Sequence, residues 1–125
     1  MIRHILFDLD GTLLPMDQDR FGEWYLPRLA RHAAPEDIPV EEVLKLIYQG
    51  WAAMVRNDGS ATNEAVFNRC LRDAYPEQAE AISRGMLDYY SGQFQEAKCL
   101  TAPSPFARLA VEAAGRHGRD VYLAT

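Results

Sequence analysis

Two short apolar runs lie near opposite ends of this chain, Ile5-Leu6-Phe7 and Val121-Tyr122-Leu123-Ala124. Each has the length and composition of a strand buried on both faces of a parallel sheet. Parallel strands need a crossover connection, and the residues between the two runs carry helical patterns. The chain is therefore expected to be α/β: two strands and one helix of a parallel sheet, interrupted by a helical insert.

The elements follow from spacing and punctuation. Residues 2–7 read as the first strand, and Asp8 to Thr12 as the turn at its carboxyl end. Phe21, Trp24, Tyr25 and Leu29 suggest a helix over 18–33, which Pro27 should kink or split. Val40, Val43, Leu44, Ile47, Trp51, Met54 and Val55 share one helical face, and the loop Asn57-Asp58-Gly59-Ser60 follows. Thr62 is a candidate N-cap for a third helix carried by Val66, Phe67, Cys70, Leu71 and Ala74. Pro76 fits the first turn of a fourth, with Ala79, Ile82, Met86, Tyr89 and Tyr90 inward. Residues 93–103 read as a connector. Ser104 and Pro105 then open a helix expected to bury Phe106, Leu109, Ala110, Ala113 and Ala114, with Gly118 as its stop. The expected division is a partial α/β core from 1–16 and 103–125, with a helical cap over 17–102.

Composition narrows the function classes. The net charge is -5, from 18 acidic and 13 basic residues, and no basic cluster stands out. Nucleic acid is thus not an expected partner. Cys70 and Cys99 lack metal-type spacing and are too few for a disulfide scaffold. The N-terminal apolar run is too short for a signal peptide, and no stretch reaches transmembrane length. These features predict a soluble cytoplasmic protein without a membrane partner.

Asp8-Leu9-Asp10-Gly11-Thr12-Leu13 carries the chemistry. Ligands of open parallel sheets bind outside the carboxyl ends of the strands, where this segment stands. A carboxylate can attack phosphorus and form an acyl-phosphate, and Asp8 is the candidate nucleophile. Asp10 is placed to protonate a leaving alkoxide and later to activate water. Two carboxylates repel a phosphate dianion unless a cation neutralises the site, and Mg2+ favours oxygen ligands. Gly11 permits a tight turn whose N–H groups can approach phosphate, and Thr12 and Thr125 add hydroxyl donors. An isolated Asp-x-Asp is commonly a solvated turn. The order of strand, Asp-x-Asp-Gly-Thr-Leu, helical insert, helix, strand and Thr is far more restrictive.

Over essentially its whole length the chain resembles the haloacid dehalogenase superfamily, in its phosphatase-like branch. Phe7-Asp8-Leu9-Asp10-Gly11-Thr12-Leu13 matches the first family motif, and Val121-Tyr122-Leu123-Ala124-Thr125 matches the second. The resemblance implies a Rossmannoid parallel sheet, a cap inserted after the first motif, and Mg2+-dependent hydrolysis of a phosphorylated small molecule. It makes Asp8 the nucleophile and a metal ligand. It makes Asp10 the general acid/base, with its backbone carbonyl on the metal, and Thr125 a phosphate donor. An acid at Asp10 separates phosphatases and phosphomutases from dehalogenases, whose halide leaves without a proton. A phosphosugar mutase of the same family would share each of these residues. A non-catalytic partner-binding fragment is the alternative outside catalysis.

Other residues admit two readings. Arg56 and Asn57, beside Asp58 and Asn63, could select substrate from the cap or simply connect two helices. Trp24, Trp51, Tyr48, Tyr89 and Tyr90 could line a pocket, and their spacing favours a core role. His32 and His117 stand near helix ends, where the dipole favours them. His4 reads as structural, and Cys70 as a small buried hydrophobe.

The family's third motif supplies a lysine after the second motif, and its fourth supplies further acidic metal ligands. The sequence ends at Thr125, and Lys45 and Lys98 both precede the second motif. Loss of one such electrostatic group typically lowers rate by about 10²–10³. Residues 1–125 by themselves are therefore expected to release phosphate from phosphomonoesters at a rate near background. Robust Mg2+-dependent release by the purified 125-residue chain, abolished by Asp8→Asn, would overturn that expectation.

Overall fold

Capping side chains start three of the five α-helices. The computed structural model describes residues 2–124. In chain order the elements are β1 (His4–Asp8), α1 (Gln18–Ala33), α2 (Val40–Val55), α3 (Asn63–Ala74), α4 (Ala79–Ser91), a 3-10 stretch (Gln93–Leu100), α5 (Pro105–Arg116) and β2 (Asp120–Ala124). The chain is mixed α/β and mostly helical. Asp17 caps α1, its carboxylate accepting the Arg20 N–H at 3.0 Å. Thr62 accepts the Ala65 N–H at 3.2 Å and so starts α3. Ser104 accepts the Ala107 N–H at 3.2 Å, with Pro105 in the first turn of α5. The end of α5 is a Schellman motif: Gly118 N–H donates to the Gly115 carbonyl and Arg119 N–H to that of Ala114.

Three sequence expectations need correction. Pro27 does not split α1, which is assigned as one helix across it. Its ring removes the bond to the Glu23 carbonyl, but Pro27 and Glu23 are both exposed, so water can replace that bond. Pro76 lies in a turn before α4, not in its first turn. That turn is closed by the Gln78 and Ala79 amides on the Tyr75 carbonyl. The expected connector over 93–103 contains the 3-10 stretch, long for that geometry.

β1 and β2 pair in parallel, His4 opposite Asp120 through Asp8 opposite Ala124. Among the described residues they form a two-stranded sheet. His4 Nδ1 lies 3.1 Å from Asp120 Oδ2 at the start of the ladder. Both groups are more than half exposed, so the pair contributes at most about 1 kcal/mol.

The chain divides into two compact units, Met1–Gly22 with Glu96–Thr125, and Glu23–Gln95. The first junction falls later, and the second earlier, than the expected 16/17 and 102/103. The start of α1 belongs with the sheet because Gln18 Nε2 donates to the Asp10 carbonyl at 3.3 Å.

The helical unit holds the apolar core. Leu26 and Leu29 of α1, Val43, Leu46 and Ile47 of α2, Leu71 of α3, and Ile82, Met86 and Tyr89 of α4 are buried. Each such side chain contributes roughly 1.5–3 kcal/mol on burial. Tyr89 meets the core expectation, whereas Tyr48, Trp51 and Tyr90 are exposed and Cys70 is half-buried. The phenol of Tyr25 is bonded to that of Tyr90, and burial pushes its pKa up, with the Tyr90 bond adding to the shift. His32 Nε2 sits 2.8 Å from Asp88 Oδ2, a side-chain partner that the expected dipole role did not include.

The sheet unit buries far less. Among its described residues only Ala97 and Ala114 are buried. β1 and β2 were expected to be covered on both faces, yet Leu6 is 66 % exposed, and Tyr122 and Leu123 are exposed too. One helix, α5, packs beside β2, and one helix cannot cover both faces of two strands. The covered side of α5 carries Ala107, Val111 and Ala114 at helical spacing. Phe106, expected inward, is 75 % exposed, and Leu109 and Ala110 are exposed as well. No helix among the described residues is long and apolar enough to cross a membrane.

Gly85 on α4 marks a close approach to α1. A Cβ there would stand 2.8 Å from the Ala33 Cα, which is backbone and cannot swing aside. Gly85→Ala should gain about 1 kcal/mol of helix propensity and lose about 1–3 kcal/mol to overpacking. We expect a net loss of stability in urea unfolding monitored by helical circular dichroism. An unchanged or raised midpoint would show that α1 and α4 can separate freely there.

Candidate active site

The site is built from the last residue of β1 and the turn after it. Asp8 ends the strand, register-paired with Ala124, and its side chain is exposed at the carboxyl end of the sheet. Residues 9–14 then close on themselves. The Gly11 N–H donates to the Leu14 carbonyl and the Leu14 N–H to that of Leu9, both at 2.9 Å. The Thr12 N–H donates to the Leu9 carbonyl at 3.2 Å and the Leu13 N–H to that of Asp8 at 3.3 Å. Gly11 has φ 79°, the left-handed region, which a residue with a Cβ enters only at a cost.

Thr12 Oγ1 donates to Asp8 Oδ2 at 2.8 Å. That bond orients the Asp8 carboxylate and leaves Oδ1 without a hydrogen-bond partner among the described residues. The Asp10 carboxylate is likewise exposed and unbonded among them, while its backbone carbonyl accepts from Gln18 Nε2. One carboxylate is thus held by a hydroxyl, and a second, exposed to solvent, stands two residues on.

The expected residues are only partly assembled. Asp8 and Thr12 are in contact. The amides of the Gly11 turn, expected to approach a phosphate, are engaged inside the turn because the left-handed Gly11 folds the loop back onto Leu9 and Leu14, and the Thr12 hydroxyl, expected as a phosphate donor, donates to Asp8 instead. Thr125 lies outside the described residues. Gln18 was missed, since a glutamine in the first turn of a helix gives no signal that it will reach a carbonyl eight residues earlier.

Among the described residues no group of three or more His, Cys, Asp or Glu side chains could hold a metal ion. Mg2+ often uses one or two carboxylates and completes its shell with water and substrate phosphate. The Asp8 carboxylate and the Asp10 carbonyl are hard oxygen donors that fit that mode, and they do not make an all-protein cage.

Arg56 and Asn57 belong to the helical unit. Arg56 is exposed at the end of α2, its N–H on the Ala52 carbonyl at 3.3 Å. Asn57 Nδ2 donates to the Ala61 carbonyl at 2.8 Å and to Asn63 Oδ1 at 2.9 Å, and its Oδ1 accepts from the Gly59 N–H. Those bonds make Asn57 a clasp for the loop between α2 and α3. In the same loop the backbone N–H of Ser60, with the Ser60 side chain, holds the Asp58 carboxyl below the usual aspartate range.

No family model, curated protein or solved structure matches the chain.

Gly11→Ala tests the turn. A Cβ there would meet only Gln18 Nε2 at 3.6 Å, so space is available and the cost is conformational. We expect a loss of about 1–2 kcal/mol from the left-handed backbone. It should appear as faster amide exchange at Gly11, Leu13 and Leu14 than in the unchanged chain. Unchanged protection would show that the turn tolerates a side chain.

Proposed function

We propose that this chain carries the nucleophile turn of a haloacid dehalogenase-type phosphoryl-transfer protein, which in its complete form hydrolyses phosphomonoesters of small molecules through an aspartyl-phosphate on Asp8. The observation that carries the reading is the Thr12–Asp8 bond at the carboxyl end of a parallel strand. It leaves one oriented, accessible carboxylate oxygen with a second acid two residues away. The division into a sheet unit and a helical unit is consistent with a core and an inserted cap.

In this mechanism Asp8 Oδ1 attacks the phosphorus, forming the new O–P bond as the ester O–P bond breaks. The Asp10 carboxylic acid gives its proton to the departing alkoxide. The Asp10 carboxylate then takes a proton from water as that water attacks the phosphorus of the acyl-phosphate. Inorganic phosphate leaves, Asp8 is again a carboxylate, and Asp10 again carries its proton. Thr12 positions Asp8. The Asp8 carboxylate and the Asp10 carbonyl would hold Mg2+, whose positive charge would let a phosphate dianion approach two acids.

The test uses the protein as its own cells make it, with p-nitrophenyl phosphate and Mg2+. Asp8→Asn should abolish phosphate release, and Asp10→Asn should lower it by about 10²–10⁴. Acid-quenched samples should carry one phosphoryl group on Asp8 by mass spectrometry of peptides. Release that survives Asp8→Asn, or a phosphoryl group found elsewhere, would remove Asp8 from the mechanism.

A further inference from the structure

The helical unit contains a cleft of about 260 Å3 at the convergence of all four of its helices. Its volume lies just below that of most ligand sites, which span roughly 300–1,000 Å3. The floor is apolar, with Leu29, Ile47 and Met86 among its residues. Trp51 and Tyr90, 38 % and 42 % exposed, give it aromatic walls that solvent reaches. Neither ring is loose. Trp51 stacks edge-on against Tyr48 at 6.1 Å, and the Tyr90 hydroxyl is bonded to that of Tyr25.

The formal charge on the lining of the cleft is negative. Among the described residues Glu64, exposed to solvent, is the one formally charged residue that lines the cleft, while Arg72 lines the adjoining pocket that shares Asn68 and Ser83 with it. Glu64 makes no ion pair with another described residue. Ser83 Oγ donates to Asn68 Oδ1 at 3.4 Å; each oxygen keeps a lone pair that can accept, and the Asn68 amide nitrogen adds N–H donors. A negative group, neutral acceptors and aromatic faces together favour a cation and disfavour a phosphate or carboxylate.

We propose that this cleft binds a small organic ammonium compound with a compact apolar body. Its ammonium group sits against Glu64, with the Asn68 and Ser83 oxygens as further acceptors. Its apolar body lies between Trp51 and Tyr90 on the floor of Leu29, Ile47 and Met86. The site is independent of the phosphoryl-transfer reading, since each residue belongs to the helical unit and none to the Asp8 turn.

The test titrates the whole chain with three probes of one shape: 2-phenylethylamine, 2-phenylethanol and 3-phenylpropanoate. Binding is followed by the NMR shifts of the Trp51 indole N–H and of the α2, α3 and α4 amides. The amine should bind saturably and about tenfold or more tighter than the alcohol, with the carboxylate weakest. Glu64→Gln should remove the amine's advantage and leave alcohol binding and the unfolding midpoint almost unchanged. Glu64 also stands in the first turn of α3, where an acid favours the helix dipole. If that is its whole role, Glu64→Gln lowers the midpoint without changing probe selectivity, and the proposal fails. Equal binding of the three probes, or no saturable shift with the amine, would overturn it as well.

Discussion

The parallel pairing of β1 with β2 is the constraint on which the arrangement of this chain depends. Two parallel strands cannot be closed by a tight turn, so the residues from Leu9 to Arg119 must leave the end of one strand and return to the start of the other. All five α-helices lie on that excursion. The pairing also fixes which ends of the strands coincide. Asp8 and Ala124 are register partners, so whatever chemistry Asp8 performs takes place beside the carboxyl tip of β2.

Apolar burial is divided unequally between the two units. The helical unit places Ile47, Leu71, Ile82 and Tyr89 out of contact with solvent. Close helix approach at Gly85 and the bond between the Tyr25 and Tyr90 hydroxyls define its packing. In the sheet unit the buried described residues are alanines, while Leu6, Phe106 and Leu123 remain exposed. Burial free energy scales with the apolar area removed from water, so the hydrophobic driving force is concentrated in the helices. The turn of residues 9–14 therefore rests on the less buried unit. Its order comes from hydrogen bonds within residues 8–14 and from the ladder behind them, more than from packing.

That turn is a self-contained device. The left-handed Gly11 bends the backbone until Leu14 meets Leu9, and this brings Thr12 back over Asp8. The same closure engages the amides that a phosphate would otherwise meet. Orientation of the carboxylate and exposure of backbone donors are competing uses of one short loop, and here the first prevails. Around the second loop, between α2 and α3, the Asn57 amide bonds to the chain on the far side of the turn. A side chain used in that way holds geometry, and it has little capacity left for a ligand.

The sequence by itself determined the features that depend on near neighbours. Thr62 and Ser104 start helices because a side-chain oxygen three residues upstream of an amide can reach it whatever surrounds it. Gly118 ends α5 and Gly11 turns the chain because a positive φ is a property of one residue. Two short apolar runs at the ends of a helical chain were enough to anticipate parallel strands. Tertiary structure decided what depends on distant groups. It set which side of α5 faces the sheet, choosing Ala107, Val111 and Ala114 over Phe106 and Leu109. It left α1 continuous through Pro27 by placing that residue on an exposed side. It gave His32 an aspartate from α4 and brought the four helices around one cleft. Periodicity gives a helix an apolar face, but the partner that covers that face comes from a remote part of the chain, and only the folded structure selects it.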